Sequence, residues 1–167
     1  IMSQGYYNMP EATVQAWRNL WFHTGDGAYM DEDGYFYFAD RKKDALRRRG
    51  ENVSSYEIEK IVNAHPKVLE SAAIAVKDDI AADYGTATKE DEIKVCVGLK
   101  EGETLEAEEL IRFCNDRIAY FMVPRYLEFI KELPKTPTEK VEKFRLRELG
   151  ITESTWDREK AGITLKR

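Results

Sequence analysis

Ser54-Ser55-Tyr56-Glu57-Ile58-Glu59-Lys60-Ile61-Val62-Asn63-Ala64-His65-Pro66 carries a complete helix signal within one short stretch. Ser54 with Glu57 three residues later forms a capping box, in which hydroxyl and carboxylate satisfy amides that the first turn leaves open. Ile58, Ile61, Val62 and His65 then recur at helical spacing, so one face packs, and Pro66 stops the helix. Downstream, Ser71–Val76 and Ile93–Leu99 are β-compatible runs separated by the polar stretch Lys77–Glu92. Thr104 reads as the opening of a second helix whose Leu110, Ile111, Cys114 and Ile118 share a face, with Pro124 closing the segment. Tyr126–Ile130 reads as a third strand, and Glu142–Leu149 as a helix with Gly150 at its C-cap. The tail after Gly150 reads as a surface extension.

Upstream, Asn8 reads as the cap of a short helix with Pro10 in its first turn, Val14 and Trp17 at helical spacing, and an end near Leu20. Asp31-Glu32-Asp33-Gly34 signals a hairpin between strands near 27–30 and 35–39. The expected order is β-hairpin, α, β, β, α, β, α, an α+β fold with a hairpin and a mixed sheet packed by helices. Arg41, Lys42, Lys43, Arg47, Arg48 and Arg49 crowd together after the first hairpin with only Asp44 opposing them. That shift in composition marks a boundary and divides the chain into residues 1–40 and 41–167.

With 43% hydrophobic and 34% charged residues, the 167-residue chain belongs among soluble globular proteins. A net charge of −5 argues against binding nucleic acid through a global basic field. No run approaches the roughly 18 apolar residues of a membrane span, and no leader pattern opens the chain, so a cytoplasmic protein is expected. Cys96 and Cys114 lack metal-ligand spacing and read as buried free thiols; no metal-ligating residue is assigned. The segment Ile1–Tyr7 reads as a chain entered in mid-fold.

Three segments carry chemistry, and each reads two ways. Thr24-Gly25-Asp26 sits in a turn where Asp26 either satisfies turn amides or accepts two hydrogen bonds from a ribose diol. The basic hairpin Asp40–Asn52 either presents alternating cations to phosphates or is a strand charged against aggregation, and Gly50 either admits a narrow ligand arm or merely turns. Pro134-Lys135-Thr136-Pro137-Thr138-Glu139-Lys140 is a proline-ordered loop that either delivers the Lys140 ammonium to a distant site or leaves it solvated.

In combination, Gly5-Tyr6-Tyr7-Asn8, Trp21-Phe22-His23-Thr24-Gly25-Asp26, Asp33-Gly34-Tyr35, Asp40-Arg41-Lys42-Lys43-Asp44, Gly50-Glu51-Asn52-Val53-Ser54 and Pro134-Lys135-Thr136-Pro137-Thr138 resemble, in order, the late motifs of the adenylate-forming superfamily. The chain is similar to the C-terminal portion of an AMP-forming acyl-CoA synthetase, and the segment from Glu51 to Pro66 is similar to crotonobetaine or carnitine CoA ligases. The resemblance implies that residues 1–40 end a nucleotide-binding N-terminal domain and that 41–167 form a mobile lid. It implies Asp26 and Arg41 on the ribose of ATP, Lys43 at the hinge, Gly50 along the pantetheine tunnel, Arg47 and Arg49 at CoA phosphates, and Lys140 as the adenylation lysine. ATP, magnesium, coenzyme A and a carboxylic acid are the implied cofactors and substrates, with the fragment alone inactive. Two positions depart from the pattern: Glu139 stands where the family usually has glycine, and Asp40 where glycine commonly precedes the arginine. A carrier-protein-loading adenylation domain and a non-catalytic module with the lid fold are the alternatives.

Overall fold

A computed structural model describes residues 3–48, 50–77 and 91–165. The chain forms two compact units that divide between Lys43 and Asp44.

The smaller unit opens with α1 (Pro10–Ala16), followed by a 3-10 turn at Arg18–Leu20. The helix is shorter than expected at both ends. Asn8 has a φ of 51° and so cannot cap it, and Asn19 and Leu20 are also left-handed, which breaks helical continuity. Strands β1 (Asp26–Met30) and β2 (Phe36–Arg41) form the antiparallel hairpin. Asp31 organises its turn: one carboxylate oxygen accepts the amides of Asp33 and Tyr35 at 3.1 and 2.8 Å, and the other accepts the Tyr37 hydroxyl at 2.7 Å. The Tyr37 hydroxyl first, then these amides, hold the Asp31 carboxyl below its ordinary range.

In the larger unit, β3 (Leu46–Arg48) and β4 (Glu51–Val53) form a second hairpin. Helix α2 (Ser55–Asn63) follows, with the Ser54 hydroxyl accepting the Glu57 amide at 3.3 Å. Its buried residues are Ser55, Ile58 and Val62, the single packed face expected. His65 lies beyond the helix end and is buried edge-on against Phe113.

The main sheet contains β5 (Val68–Lys77), β6 (Asp91–Leu99), β7 (Tyr126–Phe129) and β8 (Trp156–Asp157), in that order. The β6–β7 pair is parallel and the other two are antiparallel, so the sheet is mixed as expected. A parallel pair needs a crossover, which α3 (Ala107–Asn115) provides. That helix begins three residues later than Thr104, and Leu105 is buried ahead of it. Helix α4 (Lys143–Leu149) ends at Gly150, whose φ of 60° suits glycine at that position.

Both faces of the sheet are covered. Val95 and Val97 of β6 pack in one layer with Ile58 and Val62 of α2 and with Leu110 and Ile111 of α3. Ala72, Ile74, Val76 and Cys96 pack in the other with Leu133 and with Leu146 of α4. Two-sided burial explains why Ala72–Val76 of β5 and Val95–Val97 of β6 are continuously apolar instead of alternating.

The reading of the tail as a surface extension is overturned. Trp156–Asp157 adds a fourth strand beside β7, and Asp157 and Arg158 are buried. Asp157 holds Arg125 through two contacts of 3.3 Å, and Glu128 accepts the hydroxyls of Thr152 and Ser154 at 2.8 and 2.7 Å. Among the described residues, no helix is long and apolar enough to cross a membrane.

Candidate functional site

Within the smaller unit, antiparallel register places Asp26 opposite Arg41 at the open end of the hairpin. Asp26 Oδ1 lies 3.4 Å from Arg41 Nε, and both side chains are accessible. The turn ahead of Asp26 is fixed from both sides. The Asp26 amide donates to Thr24 Oγ1 at 3.1 Å, and the Lys42 amide donates to Gly25 O at 2.9 Å. Gly25 has a φ of 79° with open space where a Cβ would stand, so a ligand can approach the backbone there. A cleft of about 730 Å³ runs past this turn, lined by Phe22, Thr24, Asp26 and Lys43 among others. A carboxylate held on one oxygen by an arginine and open to a cleft is suited to accept hydroxyl hydrogen bonds. The smaller unit therefore brings together three of the expected site residues: Asp26, Arg41 and Lys43.

The basic hairpin of the larger unit divides its arginines between two jobs. On β3, side chains alternate, so Arg47 is exposed while Arg48 turns inward. Arg48 Nη1 donates to the carbonyls of Phe121 and Val123 at 2.9 and 3.0 Å, and its Nη2 lies 2.9 Å from Glu92 Oε2. Arg48 is thus a structural cation that pins the hairpin to the sheet, a role the charge cluster alone does not reveal. Gly50 has a φ of 82° and open space around it, which fits both a turn and a narrow ligand path. Arg49 lies outside the described residues.

Lys140 stands on a separate element, a loop closed by the antiparallel bridge of Lys135 with Val141. The Thr136 amide donates to Lys140 O at 2.8 Å, and the Lys140 amide donates to Thr136 Oγ1 at 3.2 Å. The backbone of Lys140 is therefore held while its side chain is exposed. Glu139, at the position where the motif favours glycine, has a φ of 61°. Its carboxylate lies 3.6 Å from Lys135 Nζ, which is also 2.9 Å from Glu70. The left-handed backbone costs a glutamate about 1–2 kcal/mol, offset by about 0.5–1 kcal/mol of extra unfolded-chain entropy that glycine would carry. Glu139→Gly is accordingly expected to stabilise the larger unit by about 0.5–1 kcal/mol, measured as a higher midpoint in denaturant unfolding.

One feature in this region escapes a reading by motifs. Lys143 begins α4 and contacts Ser55 and Glu59 of α2. The one trace in the sequence is the four-residue spacing of Ser55 and Glu59, which sets both on one side of the helix. As expected, the thiols of Cys96 and Cys114 are free and buried, and burial pushes them up to about 11 and about 12, so neither acts as a nucleophile at neutral pH.

Comparison with known proteins gives this geometry a family. The model of the AMP-binding enzyme C-terminal domain matches residues 57–140, half of the chain. The chain belongs to the AMP-binding enzyme C-terminal domain family. Among curated relatives, it is 42% identical over 145 residues to the crotonobetaine/carnitine-CoA ligase of Salmonella arizonae and 43% identical over 143 residues to that of Citrobacter koseri. These alignments cover 86% and 85% of this chain but 26% of each relative, so the chain spans about a quarter of their length. Among solved structures, it is similar to the anthranilate CoA ligase AuaEII in complex with anthranoyl-AMP, with a TM-score of 0.75, 31% identity, and 87% of this chain and 27% of the other covered. ATP-bound MatB from Rhodopseudomonas palustris gives a TM-score of 0.72 and 32% identity over the same shares. The α+β fold described above is that of this family.

Proposed function

We propose that this chain is the C-terminal part of an ATP-dependent, AMP-forming acyl-CoA ligase acting in the cytoplasm. Residues 1–40 end its nucleotide-binding domain, and residues 41–167 form its mobile lid. The observation that supports this most is Asp26, paired with Arg41 and lining an open cleft with Lys43, in a chain whose relatives are named as CoA ligases. On this reading a carboxylate oxygen attacks the α-phosphorus of ATP, pyrophosphate leaves, and an acyl adenylate forms. The thiol of CoA then attacks the acyl carbonyl, and AMP leaves with the electrons of the broken anhydride bond.

Asp26 accepts the ribose hydroxyls in both steps, with Arg41 on the same ribose. Lys140 places its ammonium where negative charge grows on the α-phosphate during the first step. Lys43 absorbs the hinge rotation that exchanges the two lid poses. Gly50 lines the path of pantetheine, and Arg47 and Arg49 meet the phosphates of CoA. Magnesium enters with the nucleotide, carried on the substrate phosphates. The chain by itself is inactive on this proposal. The acyl substrate of the relatives, a carnitine-type acid, is the first to try.

The test is acid-dependent pyrophosphate exchange and thioester formation by the full-length enzyme over betaine-type, aryl and fatty acids. Asp26→Ala removes a charged hydrogen-bond acceptor worth about 1.5–3 kcal/mol, so the KM for ATP is expected to rise about 10–100-fold. Adenylate that forms but loads only a carrier protein points to the alternative adenylation domain. An absence of adenylate with every acid points to a non-catalytic lid fold.

A further inference from the structure

Lys140 projects from a loop whose two limbs are each tied by an ion pair to a different element. On the entering limb, Lys135 Nζ lies 2.9 Å from Glu70 Oε2 of β5. On the leaving limb, Lys143 Nζ donates to Ser55 Oγ at 2.9 Å and lies 2.7 Å from Glu59 Oε1, both residues of α2. The same Glu59 oxygen accepts the Ala73 amide of β5 at 2.7 Å. Since β5 is the edge of its sheet, an amide on its outer side needs an acceptor from another element, and Glu59 provides one. One carboxylate thus joins α2, β5 and α4, three residues beyond Lys140. Lys143 and Glu59 are each 16% exposed, so water competes little for these contacts.

An ion pair this enclosed adds little net stability over an apolar replacement, because both charges lose hydration. What it adds is direction. The ammonium must lie within hydrogen-bonding distance of two acceptors fixed on α2, which sets where α4 begins and where the loop before it ends. Leu133 ahead of the loop and Leu146 one turn into α4 are fully buried in the apolar layer and attach the segment without help from the pair. Packing accounts for attachment, and the pair accounts for register.

We infer that Lys143 is a positioning residue for Lys140, anchored on Glu59 and Ser55, and that it serves the adenylation half-reaction and not the thioester half-reaction. The inference rests on the assignment of Lys140 to adenylation proposed above.

The experiment compares Lys143→Ala, Lys143→Arg, Glu59→Gln and Lys140→Ala in the full-length enzyme. Two assays are used: acid-dependent pyrophosphate exchange, and thioester formation from preformed acyl adenylate and CoA. Lys143→Ala is expected to lower kcat for exchange about 10–100-fold, the scale of a reacting group displaced by about 1 Å. The KM for ATP and the thioester rate are expected to stay within about two-fold, since neither uses the loop position. Lys143→Arg keeps a cation within reach of both acceptors and is expected to recover most of the exchange rate. Glu59→Gln keeps an acceptor oxygen for Ala73, so it carries the same test in a variant with intact packing: slower exchange with an unchanged thioester rate. Equal losses in both half-reactions, or wild-type exchange by Lys143→Ala while Lys140→Ala loses it, overturn the positioning role alone. Exchange retained by Lys140→Ala overturns the assignment of Lys140, and the inference with it.

Discussion

Replacing Lys140 with alanine in the full-length enzyme is expected to slow acyl-adenylate formation by about 10²–10³-fold, the scale of removing one preorganised donor from a developing negative charge. The loop geometry suits such a donor. Pro134 and Pro137 restrict its backbone, the Lys135–Val141 bridge closes its base, and Thr136 holds both the amide and the carbonyl of Lys140. The residue is thus fixed at its Cα and free at its tip, so the entropy of ordering it falls mainly on the four-carbon side chain. Acid-dependent pyrophosphate exchange measures the loss. Thioester formation from preformed adenylate is expected to survive, because on the proposed role the charge that Lys140 stabilises arises only in the first step. A Lys140→Ala enzyme that exchanges pyrophosphate at the wild-type rate removes Lys140 from the mechanism.

Removing Glu128 is expected to destabilise the larger unit by about 3–5 kcal/mol, a large part of the roughly 5–15 kcal/mol that holds a domain of this kind together. Lys94 of β6 is 1% exposed, and its ammonium contacts Glu128 Oε2 of β7 and the carbonyl of Gly150. Glu128→Ala leaves that ammonium buried without its counter-charge. The double variant Lys94→Met/Glu128→Leu, which removes both charges, is expected to lie within about 1–2 kcal/mol of wild type, since replacing a buried pair by apolar residues is often neutral. Denaturant unfolding of the two variants decides between a pair that is needed and one that is merely dangerous to halve.

The pH dependence follows from the same group. Burial alone raises the Glu128 carboxyl, but the Lys94 ammonium and the Ser154 and Thr152 hydroxyls outweigh it and hold the group below its ordinary value of 4.5. A carboxyl lowered in the folded state contributes stability that is fully present above its unfolded value and is lost as pH falls through the folded one. Wild-type stability is therefore expected to drop below pH 4.5, and more steeply than that of the double variant.

How far the sequence reached differs from element to element. The Ser54 cap, the apolar face of α2, the Asp31–Gly34 turn and the Gly150 stop all depend on dihedral preferences and hydrogen bonds within a few residues, so they are written locally. The same holds for the order of motifs by which the chain resembles a known family. At Asn8 and Asn19 local signals misled, because a left-handed backbone at those residues ends a helix that spacing alone would extend.

Long-range partners were a different matter. Arg47 and Arg48 are adjacent and chemically identical, yet one faces solvent and the other is buried on Glu92, 44 positions along the chain. The tail after Gly150 is short and polar and carries no strong strand signal, yet its residues wrap Glu128 and pair with β7. Lys143 reaches back 88 positions to Ser55. By itself the sequence determined most elements up to Gly150, their order and the family, since these rest on periodicity and on residue types at fixed spacing. Tertiary structure alone decided which charges are structural and which are free to act, because that depends on which distant group desolvates and pairs with each one.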